Sequence, residues 1–190
     1  MSWLLRYYKG IYIVLVAVGV LCTYLSLWGT AVATGYFILV LASLVLGGRW
    51  LSRAVSWGVV EFYRDCDPEP LLENCDRLLA GAGDGRGGYL LALRCNRISA
   101  LLALGRREEA RAELDRFADA PPREKGSPAA VTLRWNRAEL DLEEERLQGM
   151  EGELEAISAM AQKVRVPSLF GGVTFPELMD WHVERGRCLL

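Results

Sequence analysis

The sequence from residue 10 to residue 48 is GIYIVLVAVGVLCTYLSLWGTAVATGYFILVLASLVLGG, and it contains no Asp, Glu, Lys, Arg or His. About 20 apolar residues cross the hydrocarbon core of a bilayer as a helix, and this stretch is roughly twice that long. It therefore predicts a transmembrane helical hairpin, with spans over residues 11–28 and 31–46 joined by a tight turn at Gly29 and Thr30.

Basic residues on both sides of this stretch predict its orientation. They are Arg6, Lys9, Arg49 and Arg53. Cationic flanks stay on the cytoplasmic side of a bilayer, so we expect both ends of the hairpin and the rest of the chain to lie in the cytoplasm. No ionisable side chain lies inside the spans, which indicates a lipid-embedded anchor rather than a channel or transporter.

Two other interpretations of the apolar stretch remain open. Ala31-Val32-Ala33 follows a long apolar run and resembles the cleavage site of a signal peptide. A re-entrant loop, or a pair of helices buried in a soluble core, is the second alternative.

The composition of the remainder restricts the partners and ligands that we expect. Apart from the four flanking residues, the chain contains 18 basic and 24 acidic residues. An acidic domain repels phosphate backbones, which argues against nucleic-acid binding. The five cysteines form no CxxC pair and the chain has one His, so we expect free thiols, no metal site and no cofactor. The cysteines are Cys22, Cys66, Cys75, Cys95 and Cys188.

The chain after the hairpin has the periodicity of amphipathic helices and almost no strand-like alternation. Leu51, Val55, Val59 and Phe62 form one stripe, which predicts a juxtamembrane amphipathic helix over residues 50–66. Further helices are predicted near residues 67–79, 89–104, 108–119, 127–148, 154–164 and 176–185. We therefore expect an all-α protein with three parts: the hairpin (1–49), the juxtamembrane helix (50–66) and an array of helix pairs with a short C-terminal helix (67–190).

An internal repeat is visible in the predicted array. The sequence LRCNR at residues 93–97 returns as LRWNR at residues 133–137, a shift of 40. The glycines that follow the two motifs, Gly105 and Gly149, are 44 apart. Four extra residues are about one helical turn, so we expect the first helix of the later pair to be one turn longer.

Residues 96–122, NRISALLALGRREEARAELDRFADAPP, resemble a tetratricopeptide repeat. Leu101, Gly105, Ala110, Leu114 and Pro122 occupy signature positions of that family. The resemblance implies a protein-binding scaffold whose first helices line a concave groove. Carried onto this sequence, it gives a set of candidate groove residues: Arg94, Asn96, Arg97, Arg134, Asn136 and Arg137.

These candidates have a structural interpretation as well as a functional one. In a groove, their guanidinium groups suit an acidic or C-terminal carboxylate peptide. Alternatively, the two asparagines bind neighbouring backbone and the arginines pair with the Glu143-Glu144-Glu145 run, which otherwise reads as a solvated helix face. Trp135 reads as a core residue.

Three functional hypotheses follow. The first is a membrane-anchored cytoplasmic scaffold that binds a protein or peptide through the repeat groove. The second is a structural subunit of a larger membrane complex that docks through its membrane helices. The third is an enzyme, for which the sequence offers no catalytic residue: His182 has only Cys188 on the same tail and no nucleophile motif.

Overall fold

The computed structural model describes residues 2–25, 29–80, 88–117, 127–164 and 174–190, and every regular element within these ranges is a helix. This confirms the all-α prediction. The predicted end of the first span at residue 28, the predicted helix end near residue 119 and the signature residue Pro122 lie outside the described residues, as do residues 81–87 and 165–173. The helices are α1 (Ser2–Tyr24), α2 (Thr30–Val55), α3 (Val59–Arg64), α4 (Glu69–Leu79), α5 (Gly88–Ala103), α6 (Arg107–Asp115), α7 (Pro128–Glu143), α8 (Met150–Ala161) and α9 (Phe175–Arg187).

The first two helices pack against each other and leave apolar side chains exposed. The Tyr36 hydroxyl donates a 2.8 Å hydrogen bond to the carbonyl of Leu15. Gly19 permits this approach, because a Cβ there would lie 2.5 Å from the Tyr36 ring. Of the described helices, α2 is the one long and apolar enough to cross a membrane. The apolar part of α1, Gly10–Tyr24, is shorter than the span predicted for it.

The C-terminal end of α2 belongs to the core of the helical array. Leu51 and Val55 are 1% and 6% exposed and pack in one cluster with α4, α5 and α6. The helix predicted over residues 50–66 is instead divided, with Leu51 and Val55 ending α2 and α3 following after a break. The break occurs at Gly58, whose φ of +85° and close approach to the backbone of Leu71 both favour glycine.

The first helices of the two pairs, α5 and α7, repeat one another at a shift of 40 residues, whereas the second helices, α6 and α8, begin 43 residues apart. Helices α5 and α7 are both 16 residues long, so the prediction of a longer later helix is wrong. The reason is that Glu145, at φ +58°, occupies the left-handed position that Gly105 holds at φ +70°. The backbone bonds that close α5, from Gly105 to Leu102 and from Arg106 to Leu101, recur 40 residues later in α7.

Two hydrophobic clusters meet at α7. Leu133 and Leu140 face the cluster of α2, α4, α5 and α6, whereas Trp135 and Leu142 face α8 and α9. The five cysteines are free, as predicted, and Cys75 and Cys95 are buried in the first cluster. Burial raises the pKa of the Cys75 thiol to about 12. The last helix, α9, begins with a capping box formed by Thr174 and Glu177.

Candidate functional site

Arg94 and Arg134 lie at matching positions of α5 and α7 and hold the two helices of each pair together. Arg94 pairs with Glu113 on α6, and Arg134 pairs with Glu153 on α8, 19 residues later in both cases. The two ion pairs differ in burial. The Arg94 and Glu113 side chains are 8% and 5% exposed, whereas those of Arg134 and Glu153 are 38% and 36% exposed.

Asn96 and Asn136 connect each unit to the one before it. The Nδ2 of Asn136 donates a 2.9 Å hydrogen bond to the carbonyl of Cys95, and that of Asn96 donates a 3.3 Å bond to the carbonyl of Val55. Both acceptors lie 41 residues earlier in the chain. The asparagines therefore bind neighbouring backbone, as the structural interpretation predicts.

Arg97 and Arg137 also contact preceding elements. The Nε of Arg97 donates a 2.6 Å bond to Asp76 on α4, and the Nη2 of Arg137 donates a 3.3 Å bond to the carbonyl of Leu114 on α6. The structure thus gives all six candidate groove residues partners within the fold. Their role in binding a partner stays a prediction.

The glutamate run at residues 143–145 takes other arginine partners than those predicted. Glu143 accepts a 2.7 Å hydrogen bond from the Nε of Arg107, and Glu144 pairs with Arg111 and Arg146. Glu145 is exposed, as the prediction of a solvated helix face requires, but the Glu143 and Glu144 side chains are only 24% and 15% exposed. The run instead connects α7 to α6.

A cavity of about 390 Å³ opens between α3, α5, α7 and α9. It lies beside a second cavity of about 290 Å³, and Phe62, Tyr63, Ser99, Thr132 and Met179 line both. The two cavities adjoin through these shared residues and together form a groove beside α5 and α7, the first helices of the successive pairs. The side chains of the first cavity that can interact with a polar ligand include Tyr63, Trp135, Glu139, Glu143, His182 and Arg185.

Glu139 is the most buried carboxylate of this cavity. It faces the Arg185 guanidinium at 3.2 Å and accepts a 3.1 Å hydrogen bond from the indole Nε1 of Trp135. Burial raises the pKa of Glu139, and the nearby positive charge of Arg185 opposes that rise. Glu143 lies one helical turn further along α7 and lines the same cavity.

His182 lines the cavity and is surrounded by three aromatic rings. It is 6% exposed, and its ring centroid lies 5.0 Å from that of Trp181, 5.1 Å from Trp135 and 5.8 Å from Tyr63. Its Nε2 is 3.4 Å from the Tyr63 hydroxyl, while its buried Nδ1 has no hydrogen-bond partner in the part of the chain that the structure describes. Burial, reinforced by Arg185, lowers the pKa of His182 to about 4, so the imidazole is neutral at pH 7. Burial also raises the pKa of Tyr63, which keeps the phenol protonated.

Only part of the lining of this cavity could be recognised from the sequence. Trp135, Glu139 and Glu143 are spaced i, i+4 and i+8, which places them on one face of a helix. His182 and Arg185 are likewise one turn apart on α9. Nothing in the sequence relates these two faces to Tyr63, which lies 119 residues before His182.

Within the described ranges, no three His, Cys, Asp or Glu side chains come together as a metal site. No protein-family model, curated protein or solved structure matches this chain. The function of the cavity therefore has to be inferred from its own shape and charges.

Proposed function

We propose that this protein is a membrane-anchored scaffold that binds a protein or peptide in the groove between α3, α5, α7 and α9. The single observation that carries the proposal is that groove, in which two adjoining cavities present aromatic and charged or titratable side chains from α3, α7 and α9. The 40-residue shift between α5 and α7 further supports a tetratricopeptide-like array, in which successive first helices line such a groove.

Exposed apolar side chains on α1 and α2 support the anchor. Ile13, Leu39 and Leu46 are 70%, 71% and 68% exposed. Apolar residues in such a continuous band are costly in water and are satisfied by lipid. We propose that α1 accompanies α2 through the bilayer as the second span of a hairpin, with both termini in the cytoplasm.

The junction at the end of α2 supports a rigid connection between anchor and groove. The helix passes Arg49 and Arg53 and continues without interruption to Val55, which is buried in the core of the array. The exposed indole of Trp50 suits the membrane interface, where amphipathic rings are favoured. The groove is thereby held close to the cytoplasmic surface.

Proximity labelling from a C-terminal fusion in intact cells tests the groove. Ala103 is exposed at the rim of the cavity, and Ala112 is exposed on α6 outside both cavities. We expect Ala103→Trp to lose specific cytoplasmic neighbours that the wild type and the matched control Ala112→Trp both retain. Equal labelling by all three proteins, or labelling of proteins outside the cell, would overturn the proposal.

Replacement of residues 1–49 by an unrelated two-span hairpin separates this proposal from that of a structural subunit. A scaffold keeps its groove-dependent neighbours after the exchange. A subunit that docks through its membrane helices loses them.

A further inference from the structure

We propose that the 390 Å³ cavity takes an arginine side chain from a basic segment of the partner, between the carboxylates of Glu139 and Glu143 and the rings of Trp135, Tyr63 and Trp181. This inference rests on the proposed function and names the chemistry that its groove recognises. The sequence suggested the opposite ligand, an acidic peptide, but the arginines on which that suggestion depended already contact groups within the fold.

The charges that line the cavity favour a cation. Glu139 and Glu143 lie at i and i+4 on α7, so both carboxylates face the same space. Among the described lining residues, Arg185 is the one arginine or lysine, against the two carboxylates. Glu139 pairs with Arg185 and Glu143 pairs with Arg107, and both of these arginine side chains are about half exposed, at 48% and 52%, so each can give way to an entering guanidinium. The soluble part of the chain is acidic as well, which attracts a basic segment before contact.

The aromatic lining favours a guanidinium over a simple ammonium. A planar guanidinium stacks on aromatic faces and keeps donors free at its edge. Trp181 is 58% exposed, so a ring face is open to an entering side chain. The aliphatic stem of arginine can pack against Phe62 and Met179, which also line the cavity.

The Nδ1 of His182 is a second, independent feature of this site. His182 lines the cavity, its Nδ1 is buried and has no hydrogen-bond partner among the described residues, and a buried polar atom without a partner is costly. When Nε2 carries the proton and donates to the Tyr63 hydroxyl, Nδ1 presents a lone pair. A guanidinium has five donors, enough for this lone pair and a carboxylate together.

Arg185 shows within the molecule that Glu139 accepts a guanidinium. It contacts Glu139 at 3.2 Å while its side chain remains 48% exposed. A half-exposed arginine is free to move into solvent when another guanidinium enters. Arg185 is therefore a competitor of the ligand, and its removal should strengthen binding.

The test uses the full chain in nanodiscs and the probe peptide acetyl-Ala-Ala-Arg-Ala-Ala-amide. Titration is followed by the indole N–H resonances of Trp135 and Trp181. We expect saturable shifts of both resonances with the arginine peptide. The peptide with citrulline in place of arginine, which keeps the shape and loses the charge, should bind at least tenfold more weakly, and the lysine peptide should lie between the two.

Variants separate the cavity from the overall charge of the protein. The double variant Glu139→Gln with Glu143→Gln should bind the arginine peptide at least tenfold more weakly than the wild type does. The control, Glu109→Gln with Glu155→Gln, removes the same charge at exposed sites outside the lining and should leave affinity unchanged. Arg185→Gln should tighten binding severalfold, an outcome that a merely structural role of Arg185 does not give.

Several outcomes overturn the inference: no shift at millimolar arginine peptide, equal binding of the citrulline peptide, equal weakening by the control pair, or weaker binding by Arg185→Gln. If any of these occurs while Ala103→Trp still abolishes specific labelling, the groove binds a partner of different chemistry. If Ala103→Trp has no effect, the proposed function itself fails.

Discussion

The side-chain amide of Asn136 donates a 2.9 Å hydrogen bond to the main-chain carbonyl of Cys95 on the neighbouring helix α5. The same amide accepts a 3.0 Å bond from the hydroxyl of Ser99. Asn136 is fully buried, whereas Asn96, which makes the equivalent contact to Val55, is only partly buried. An asparagine at the same position of each repeat therefore joins successive units, but Asn136 is more deeply buried at its junction than Asn96 is.

Replacement of Asn136 by Ala should destabilise the protein more than the matched replacement Asn96→Ala. Removal of a buried hydrogen-bonding group that leaves its partner unsatisfied costs about 1–3 kcal/mol, and we expect Asn136→Ala to lie at the upper end and Asn96→Ala at about 1 kcal/mol or less. Guanidinium unfolding of the full chain in detergent micelles, followed by tryptophan fluorescence, measures both. Equal losses would show that burial does not set the strength of these junctions.

Replacement of Glu113 by Ala should be far more damaging than the same change at Glu153, its counterpart in the next unit. Loss of Glu113 removes a carboxylate from the buried Arg94, and breaking a buried ion pair costs about 3–5 kcal/mol. The pair of Arg134 and Glu153 is more than one third exposed, and such pairs contribute about 1 kcal/mol or less. Thermal unfolding of the two variants compares them directly, and a smaller loss for Glu113→Ala than for Glu153→Ala contradicts this argument.

Replacement of Glu145 by Gly should stabilise the protein. Glu145 is exposed and holds φ at +58°, a conformation that costs a non-glycine residue roughly 1 kcal/mol. We expect Glu145→Gly to raise the free energy of unfolding by about 0.5–1 kcal/mol. The reverse change, Gly105→Ala, should lower it by a similar amount, because a Cβ there meets no atom and only the backbone conformation is strained. Two changes of the same sign would contradict the equivalence of these positions.

Acid should destabilise the protein through His182. Its pKa is lowered from 6.5 to about 4 in the folded state, chiefly by burial. Between these values the unfolded chain binds a proton that the folded chain does not, so stability falls as the pH is lowered through this window. The slope is at most about 1.4 kcal/mol per pH unit, which gives a total loss of roughly 3 kcal/mol. Below pH 4 both states are protonated and the loss ends.

Comparison with His182→Phe isolates this effect from the other groups around the imidazole, which are Tyr63, Glu139, Glu143 and Arg185. Burial raises the pKa of Tyr63, so its phenol stays protonated throughout this range. The raised pKa of Glu139 acts in the opposite direction, since the folded state then gains stability as the pH falls. We expect the difference in unfolding free energy between wild type and His182→Phe to change between pH 6.5 and pH 4. Parallel curves for the two proteins would show that His182 does not carry this dependence.

The local elements of the fold could be predicted from the sequence because local rules determine them. The capping box at Thr174, the N-cap at Ser127 and the helix stop at Gly105 all depend on residues within one or two turns. The buried faces of α5 and α7 follow from helical periodicity, and Leu91, Ile98, Val131 and Leu142 are buried as that periodicity requires. The shift of 40 residues between LRCNR and LRWNR likewise survives in the structure as the spacing of α5 and α7.

The candidate site, in contrast, depends on contacts between residues that are far apart in the sequence. Whether Arg94 faces a groove or Glu113, and whether Asn136 faces a ligand or the carbonyl of Cys95, is decided by which helix packs beside it. The same holds for the cavity, where Tyr63 meets His182 across 119 residues. By itself the sequence determined where most of the helices lie and which face each one buries, because these depend on neighbouring residues along one helix, but it did not give the break at Gly58 or the equal lengths of α5 and α7. Only the tertiary structure decided which polar groups satisfy one another and which remain open in the groove, because burial and hydrogen bonding depend on the packing of distant helices.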